Sequence, residues 1–244
     1  MPSFDQSHLT VTPSDLQVDW MRVLPVGKQM PQLIEPSAMS FVSGDCDEPL
    51  VDVTEAFVCL EAYRMAGWTH SQKGTFVRAG VEARLRAVEA SLPNGFALVI
   101  FDGWRSLELQ SELFHAAYSD PLLPPGYLAP PSEDDQLPSP HMSGGTVDLT
   151  LSFDGVALGL GTPFDAFTED AVTAAFEQID SPVRRLRRML CEAMWAQDFV
   201  VYSGEWWHFE FGTPRWSSIL EREGIYQRAH IHGDQPGESE VCPS

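Results

Sequence analysis

Two short segments of the chain carry the residue types of a catalytic metal site. The segment S-P-H-M-S-G-G-T-V-D-L-T-L places His141 and Asp148 seven positions apart, and G-E-W-W-H-F-E-F places His208 much later. Catalytic zinc usually takes three nitrogen or oxygen ligands and keeps a fourth position open for water. Two imidazoles and one carboxylate leave the ion with a net positive charge that acidifies this water. We therefore predict that His141, Asp148 and His208 bind one Zn²⁺ per chain.

Glu205 stands three positions before His208 and is the candidate base that takes the proton of the water. In a regular strand, residues three apart point to opposite faces, so both side chains could not address one metal ion. The aromatic residues around them nevertheless favour a strand over a helix. We expect Glu205 to lie just outside the strand, with Gly204 allowing a bend or bulge before it.

Single histidines and aspartates often have structural roles and bind no metal. His8, His70 and His115 have no patterned neighbours, and we assign them to packing or to the surface. Asp148 lies in a strand whose alternate positions are apolar, so it is either paired or metal-bound inside the protein, or it lies on an exposed strand face.

Arg105 follows the apolar run F-A-L-V-I-F, at the carboxyl end of a predicted buried strand. A fixed guanidinium there could stabilise the oxyanion that forms when water attacks a carbonyl group. By position alone, an ion pair with Asp102 or Glu108 at the surface is the simpler interpretation.

The apolar spacing predicts alternating helices and strands from about residue 76 onward. The predicted elements are a helix over 76–91, a strand over 96–101, a helix capped by Ser106, a strand over 147–153, a helix that begins at Ser181 and Pro182, and a strand over 199–203. Four arginines between 184 and 188 are interpreted as a solvated face of the last helix.

The stretch between residues 119 and 140 is rich in proline and contains the acidic cluster Glu133-Asp134-Asp135. Repeated prolines exclude regular structure there. A loop of this length is either a functional lid or a solvated insertion, and the sequence leaves both interpretations open.

The net charge and the cysteine pattern limit the classes of partner and the cellular location that we expect. A net charge of −20 repels nucleic acid and anionic membranes, and we expect neither as a partner. The start of the sequence shows no secretory signal, and no apolar run reaches the length of a spanning helix. The four cysteines are scattered, which is typical of reduced thiols, so we predict a cytoplasmic protein.

Three motifs together resemble a known family. S-x-H-x-x-G-x-x-x-D-L-T from Ser139, D-G-W-R ending at Arg105 and E-W-W-H ending at His208 are similar to motifs of the D-alanyl-D-alanine dipeptidases of the VanX type. These zinc enzymes belong to a clan with D,D-carboxypeptidases, phage endolysin peptidases and the hedgehog signalling domain. The resemblance covers roughly residues 75–215 and keeps the order of the motifs, although Trp104 and Ser106 replace the family's usual Tyr and Pro.

The resemblance implies a role for six residues. It assigns His141, Asp148 and His208 as zinc ligands, Glu205 as catalytic base, Arg105 as the group that stabilises the tetrahedral transition state, and Ser139 as a polar contact to the dipeptide. It also implies an α+β fold with a small, mostly antiparallel sheet flanked by helices, and the zinc site on the face of the sheet.

The predicted reaction is zinc-dependent hydrolysis of D-alanyl-D-alanine to two D-alanines, with zinc-bound water activated by Glu205. The alternatives are a D,D- or L,D-peptidase that acts on peptidoglycan stem peptides, and a non-catalytic zinc-stabilised binding domain. We expect an irregular N-terminal arm at 1–70 packed on a catalytic domain at 71–228, followed by a disordered tail at 229–244. The partner is a small dipeptide substrate, and the sequence does not indicate the oligomeric state.

Overall fold

A six-stranded sheet in the middle of the chain organises the protein. The computed structural model describes residues 2–43, 46 and 48–231. These residues form six α-helices, α1 (Trp20–Val23), α2 (Ala62–Met65), α3 (Ala79–Ser91), α4 (Leu107–Ala117), α5 (Pro182–Trp195) and α6 (Pro214–Leu220). They also form eight strands, β1 (Leu50–Asp52), β2 (Val58–Cys59), β3 (Phe76–Arg78), β4 (Phe96–Asp102), β5 (Thr146–Phe153), β6 (Val156–Ala157), β7 (Val200–Val201) and β8 (His208–Glu210).

The main sheet has the strand order β2-β4-β5-β8-β7, and β6 pairs with β5 beside this path. The predicted α+β class is confirmed. The sheet is mixed where a mostly antiparallel one was expected, because β2 enters from the N-terminal part and lies parallel to β4. The pairs β4–β5, β5–β6, β5–β8 and β7–β8 are antiparallel, and β1 and β3 form a separate antiparallel pair.

The central strand β5 is buried on both faces. Val147, Leu149 and Leu151 enter the apolar core on one side. The opposite face carries Asp148 and Thr150, which are also buried, so Asp148 does not lie on an exposed strand face. A polar side chain in such a place needs a partner, and the Thr150 hydroxyl donates to the Leu158 carbonyl at 2.6 Å. Asp148 is satisfied differently, as part of the site.

Two of the predicted helix starts, at Ser106 and Ser181, are confirmed, and the predicted start at residue 76 is wrong. The Ser106 hydroxyl accepts from the Leu109 amide, and the Ser181 hydroxyl accepts from the Arg184 amide, so both N-caps are confirmed. The helix expected over 76–91 begins only at Ala79. Residues 76–78 form β3, because pairing with β1 satisfies their backbone groups better than a further helical turn would.

The N-terminal segment lies along the body of the protein. Val11 forms an isolated parallel bridge with Leu158, and Arg185 of α5 donates to the carbonyls of Met21 and Leu24 at 2.9 and 3.0 Å. The division into an arm at 1–70, a domain at 71–228 and a tail at 229–244 stays a prediction. Residues 232–244 of that tail lie outside the described residues.

Among the helices of the described residues, none combines the length and the apolar character that crossing a bilayer requires. The cytoplasmic location expected from the sequence stays a prediction.

The arginines of α5 correct the expectation of a solvated face. Arg185, Arg187 and Arg188 are buried. The guanidinium of Arg187 donates to the carbonyl oxygens of Leu160, Val172 and Asp170 at 2.7–2.8 Å, and to that of Thr173 at 3.3 Å. It thereby satisfies carbonyl oxygens of the irregular segment between β6 and α5. A planar fork of five donors suits this role.

Substitution of Arg187 tests this structural role. We expect Arg187→Met to lower the free energy of unfolding by about 3 kcal/mol or more, because several buried carbonyls would lose their donor. Urea unfolding measures this change. The matched control is Arg86→Met, which removes an exposed i, i+4 pair with Glu82 and should change stability by about 0.5 kcal/mol or less. Equal stability of the two variants would contradict the assigned role.

Candidate active site

Strand register brings Asp102, Asp148 and His208 together. Asp148 in β5 lies directly opposite Asp102 in β4 on one side and directly opposite His208 in β8 on the other. Side chains of directly opposed residues lie on the same face of a sheet and within contact distance. A register irregularity between Ile100 and Asp102 is what aligns Asp102 with Asp148. The sheet therefore carries a row of three polar groups across adjacent strands.

His141 reaches this row from a short 3₁₀ helix, Pro140–Ser143, that precedes β5. Gly144 follows with a φ of 72°, a left-handed conformation that glycine adopts without steric cost, and turns the chain into the strand. At Gly145 a Cβ atom would collide with the Phe211 carbonyl oxygen, so the close approach of β5 and the end of β8 requires glycine. Gly144 and Gly145 thus place His141 above Asp148.

The side chains of His141, Asp148 and His208 form a group that could hold a metal ion. Their ligand atoms all lie within 4.8 Å of one another, and all three residues are buried. His141 Nε2 is 3.2 Å from Asp148 Oδ2, and His208 Nδ1 is 3.1 Å from Asp148 Oδ1. A carboxylate and two imidazoles thus converge on one small volume, on the face of the sheet.

Each imidazole has an acceptor on its far side. His141 Nδ1 lies 2.7 Å from the Gly103 carbonyl oxygen, and His208 Nε2 lies 3.0 Å from Glu210 Oε1. Because both oxygens can only accept, each of these ring nitrogens carries a hydrogen, and the other nitrogen faces Asp148 as the atom that a metal ion would bind. This arrangement is typical of metal-binding histidines, whose outer acceptor fixes the tautomer and orients the ring.

The donor set fits a divalent ion such as zinc. Among the described residues, Asp148 Oδ1 is one of the buried side-chain atoms without a hydrogen-bond partner, since its contact with His208 lacks hydrogen-bond geometry. An orphaned carboxylate oxygen beside two imidazole nitrogens is the chemistry that zinc favours. The pocket also carries an excess of acidic groups over its two arginines, which a cation would offset.

The charges of the group reflect its burial and its contacts. Burial opposes ionisation of Asp148, but the two histidines outweigh it and hold the pKa of this carboxyl well below its ordinary range. For His208, burial opposes the charge, yet the adjacent carboxylates of Asp148 and Glu210 raise its pKa to about 10. A metal ion would replace the proton shared by these groups.

Glu205 lies outside strand β8, as the sequence reasoning expected. It sits in a turn in which its amide donates to the Tyr202 carbonyl at 3.4 Å, and its carboxylate is 3.6 Å from His208 Nδ1. Burial raises the pKa of Glu205 to about 7, with His208 and Arg105 opposing the shift. A carboxyl group with this pKa can both take and return a proton near neutral pH.

Arg105 is buried within the site and is not a surface residue. Its Nε donates to Asp102 at 2.6 Å and its Nη2 to Asp148 at 3.0 Å, so one guanidinium bridges the two opposed carboxylates. Nη2 also donates to the Tyr63 hydroxyl at 3.2 Å. Burial opposes its charge, but Tyr63 and the two aspartates outweigh this and raise the pKa of Arg105 above its ordinary value. The guanidinium of Arg105 therefore stays charged and fixed beside His141, Asp148 and His208.

Ser139 is buried, and its hydroxyl donates to the Pro130 carbonyl oxygen. It holds the proline-rich loop against the 3₁₀ helix that carries His141. The structure brings the other five predicted site residues together in one pocket and leaves Ser139 just beside it.

Asp165 is a pocket residue that the sequence reasoning did not select. It is buried, adopts a φ of 59°, and its Oδ2 has no hydrogen-bond partner. Burial raises the pKa of Asp165 well above its ordinary value. The signal available in the sequence was an aspartate that ends the otherwise apolar or small segment G-T-P-F-D, where a carboxylate has no obvious structural use.

The proline-rich loop covers the site. The cavity above the metal-binding group measures about 460 Å³. The Gly126 amide donates to the Tyr118 hydroxyl at 3.0 Å, and the Tyr202 hydroxyl donates to the Gly126 carbonyl at 3.2 Å. Gln110 donates to the Ala129 carbonyl at 2.7 Å, so the loop is attached here as well as at Gly126 and, through Ser139, at Pro130. The remaining walls are mostly aromatic or apolar, from Phe114, Tyr118, Tyr127, Leu128 and Tyr202.

Comparison with known proteins identified several similar chains. Three relatives carry the name D-alanyl-D-alanine dipeptidase. The one from Synechocystis sp. is 23% identical over 228 residues, which cover 78% of this chain and 92% of the relative. The one from Escherichia coli is 30% identical over 131 residues, or 53% of this chain and 63% of the relative. The one from Enterococcus faecium is 29% identical over 154 residues, or 56% of this chain and 71% of the relative.

A family sequence model described as D-Ala-D-Ala dipeptidase matches residues 67–228, a span that contains every site residue described above except Tyr63. The chain therefore belongs to the D-Ala-D-Ala dipeptidase family of peptidases.

Proposed function

We propose that the protein is a zinc-dependent dipeptidase that hydrolyses D-alanyl-D-alanine to two D-alanines. The observation that carries the proposal is the convergence of His141, Asp148 and His208 with Glu205 and Arg105 in one cavity. A binding domain would need the metal-binding group alone. The names of the three relatives support the choice of substrate.

The proposed mechanism assigns one task to each group. His141, Asp148 and His208 would hold zinc, which as a Lewis acid acidifies water and polarises the scissile carbonyl. Glu205 takes the proton of the attacking water and returns it to the leaving amine, and its raised pKa suits both transfers. Arg105, fixed by Asp102 and Asp148, presents a permanent positive charge to the developing oxyanion.

The proposed substrate contacts follow from the charges of a free dipeptide. The ammonium group of the substrate would pair with Asp165, because one oxygen of this buried carboxyl group has no hydrogen-bond partner and would gain a counter-ion on binding. The Ser139 hydroxyl oxygen stays a proposed polar contact to the dipeptide. The cavity of about 460 Å³, closed on one side by the proline-rich loop, favours a short peptide over a wall polymer.

A substrate panel tests the proposed reaction. We expect release of alanine from D-Ala-D-Ala, and none from L-Ala-L-Ala or from a tripeptide that ends in D-Ala-D-Ala. A zinc chelator should abolish the release, and added Zn²⁺ should restore it. Cleavage of the tripeptide would assign the protein to the carboxypeptidases, and metal binding without any cleavage would support the binding domain.

Removal of one ligand tests the metal site. We expect His141→Ala to lose most of its zinc, because two ligands bind the ion far more weakly than three. Metal analysis after gel filtration measures the content per chain. The matched control is His115→Ala, an exposed histidine on α4, which should retain the wild-type zinc content. A fully loaded His141→Ala protein would refute the ligand assignment.

Removal of the base separates catalysis from metal binding. We expect Glu205→Gln to lower kcat about 10²–10⁴-fold, since the amide cannot accept the proton of water. The zinc content should equal that of the wild type, because Glu205 is not among the three ligands. Steady-state kinetics and metal analysis of the same preparation measure both quantities. Loss of zinc together with activity would instead make Glu205 a structural residue.

A further inference from the structure

Glu35, in the segment before β1, contacts the active-site region directly. Glu35 lies well before residue 67, where the family match begins. Its Oε1 accepts from the Ser203 amide at 2.8 Å, and its Oε2 pairs with Arg215 Nη1. Among the described residues of the segment before Leu50, no other carboxylate pairs with a residue that lines the cavity.

Arg215 connects Glu35 to a metal-binding histidine. Its Nε donates to Glu210 Oε1 at 2.8 Å, and the same oxygen lies 3.0 Å from His208 Nε2. The second oxygen of Glu210 accepts from the Thr213 hydroxyl. The guanidinium carbon of Arg215 also lies 4.4 Å from the centre of the Tyr202 ring, which holds its plane.

These contacts form a row of alternating charges that ends at the site. Glu210 is completely buried, and a buried carboxylate requires a fixed cationic partner. Arg215 is that partner, and Glu35 in turn holds the far end of its guanidinium. Without Glu35, Arg215 can rotate, and Glu210 then loses the contact that fixes its orientation towards His208.

A second route leads from Glu35 to the base. Ser203 stands two positions before Glu205, in the turn that starts at Tyr202. Because the Ser203 amide donates to Glu35 Oε1, the same carboxylate holds both the support of His208 and the turn that carries Glu205. Glu35, which lies outside the residues matched by the family model, thus constrains both the proposed metal ligand His208 and the proposed base Glu205.

We propose that Glu35 is a positioning residue that makes the N-terminal segment a working part of the active site. It acts through Arg215 and Glu210 on His208, and through the Ser203 amide on Glu205. The inference rests on the proposed metal site, and it does not depend on which dipeptide is the substrate.

The test compares two carboxylates that both hold the N-terminal segment. Glu35→Ala removes the proposed positioning contact. Glu192→Ala is the matched control, since Glu192 on α5 accepts from the Lys28 amide and lies outside the lining of the cavity. Zinc dissociation constants come from competition with a chelating dye, and melting temperatures are measured on the metal-free proteins. Steady-state kinetics at saturating zinc give kcat and KM.

We expect Glu35→Ala and Glu192→Ala to have lower melting temperatures than the wild type, because each loses one attachment of the N-terminal segment. Only Glu35→Ala should bind zinc about 10-fold more weakly, which is the lower end of the effect of lost outer contacts on metal affinity. Its kcat should fall more than its KM changes, because the base is displaced while the substrate pocket remains. Glu35→Gln keeps an acceptor oxygen of the same reach, and we expect it to restore most of the zinc affinity.

Wild-type zinc affinity and kcat in both Glu35 variants, with melting temperatures like that of Glu192→Ala, would overturn the proposal and leave Glu35 a packing residue. Should Glu35→Ala fail to fold, the zinc affinity of Glu35→Asp against Glu192→Asp decides the question, because the shorter side chain cannot reach both Arg215 and the Ser203 amide. Equal zinc affinities of these two variants would overturn the proposal. A wild-type protein that binds zinc but cleaves no dipeptide would refute the proposed function alone, since the affinity comparison remains valid. A wild-type protein that binds no zinc would overturn both.

Discussion

Two opposed carboxylates in the middle of a buried sheet are the constraint on which the site depends. Strand register sets Asp102 directly against Asp148, and like charges in that position repel strongly in a medium of low dielectric constant. Arg105 bridges them. His141 approaches the same Asp148 oxygen as Arg105, and His208 approaches the other oxygen. The cluster is stable only as a whole, because loss of any cation leaves an uncompensated buried charge.

Groups at the ends of β4 and β8 hold the side chains of this cluster in place without a bound metal ion or substrate. Gly103 O accepts from His141, and the Glu210 carboxylate accepts from His208, so both imidazole planes are set by groups on strand ends. Groups carried by paired strands move less than groups on free loops. The proline-rich loop is different, because individual hydrogen bonds with Tyr118, Tyr202, Gln110 and Ser139 attach it above the site instead of strand pairing.

The arginines of α5 show where reasoning from sequence reaches its limit. A helix with charged residues at adjacent positions is typical of a solvated face. Arg187 nevertheless lies inside, because an irregular segment of the chain offers it carbonyl oxygens from Leu160 to Thr173. No local pattern reveals such acceptors, which come together only after the chain has folded. The same holds for Asp165, whose isolation inside the pocket depends on what surrounds it.

The sequence by itself determined the α+β class, the helix caps at Ser106 and Ser181, and the exclusion of Glu205 from its strand. It also selected five of the residues that line the cavity, Arg105, His141, Asp148, Glu205 and His208. Each of these depends on local spacing or on residue chemistry, which a linear pattern contains. Only the tertiary structure decided that Arg105 bridges two aspartates, that β2 joins the sheet in parallel, and that Glu35 reaches Arg215. These contacts join residues far apart in sequence, and strand register and burial, which are properties of the whole packed chain, determine which of them form.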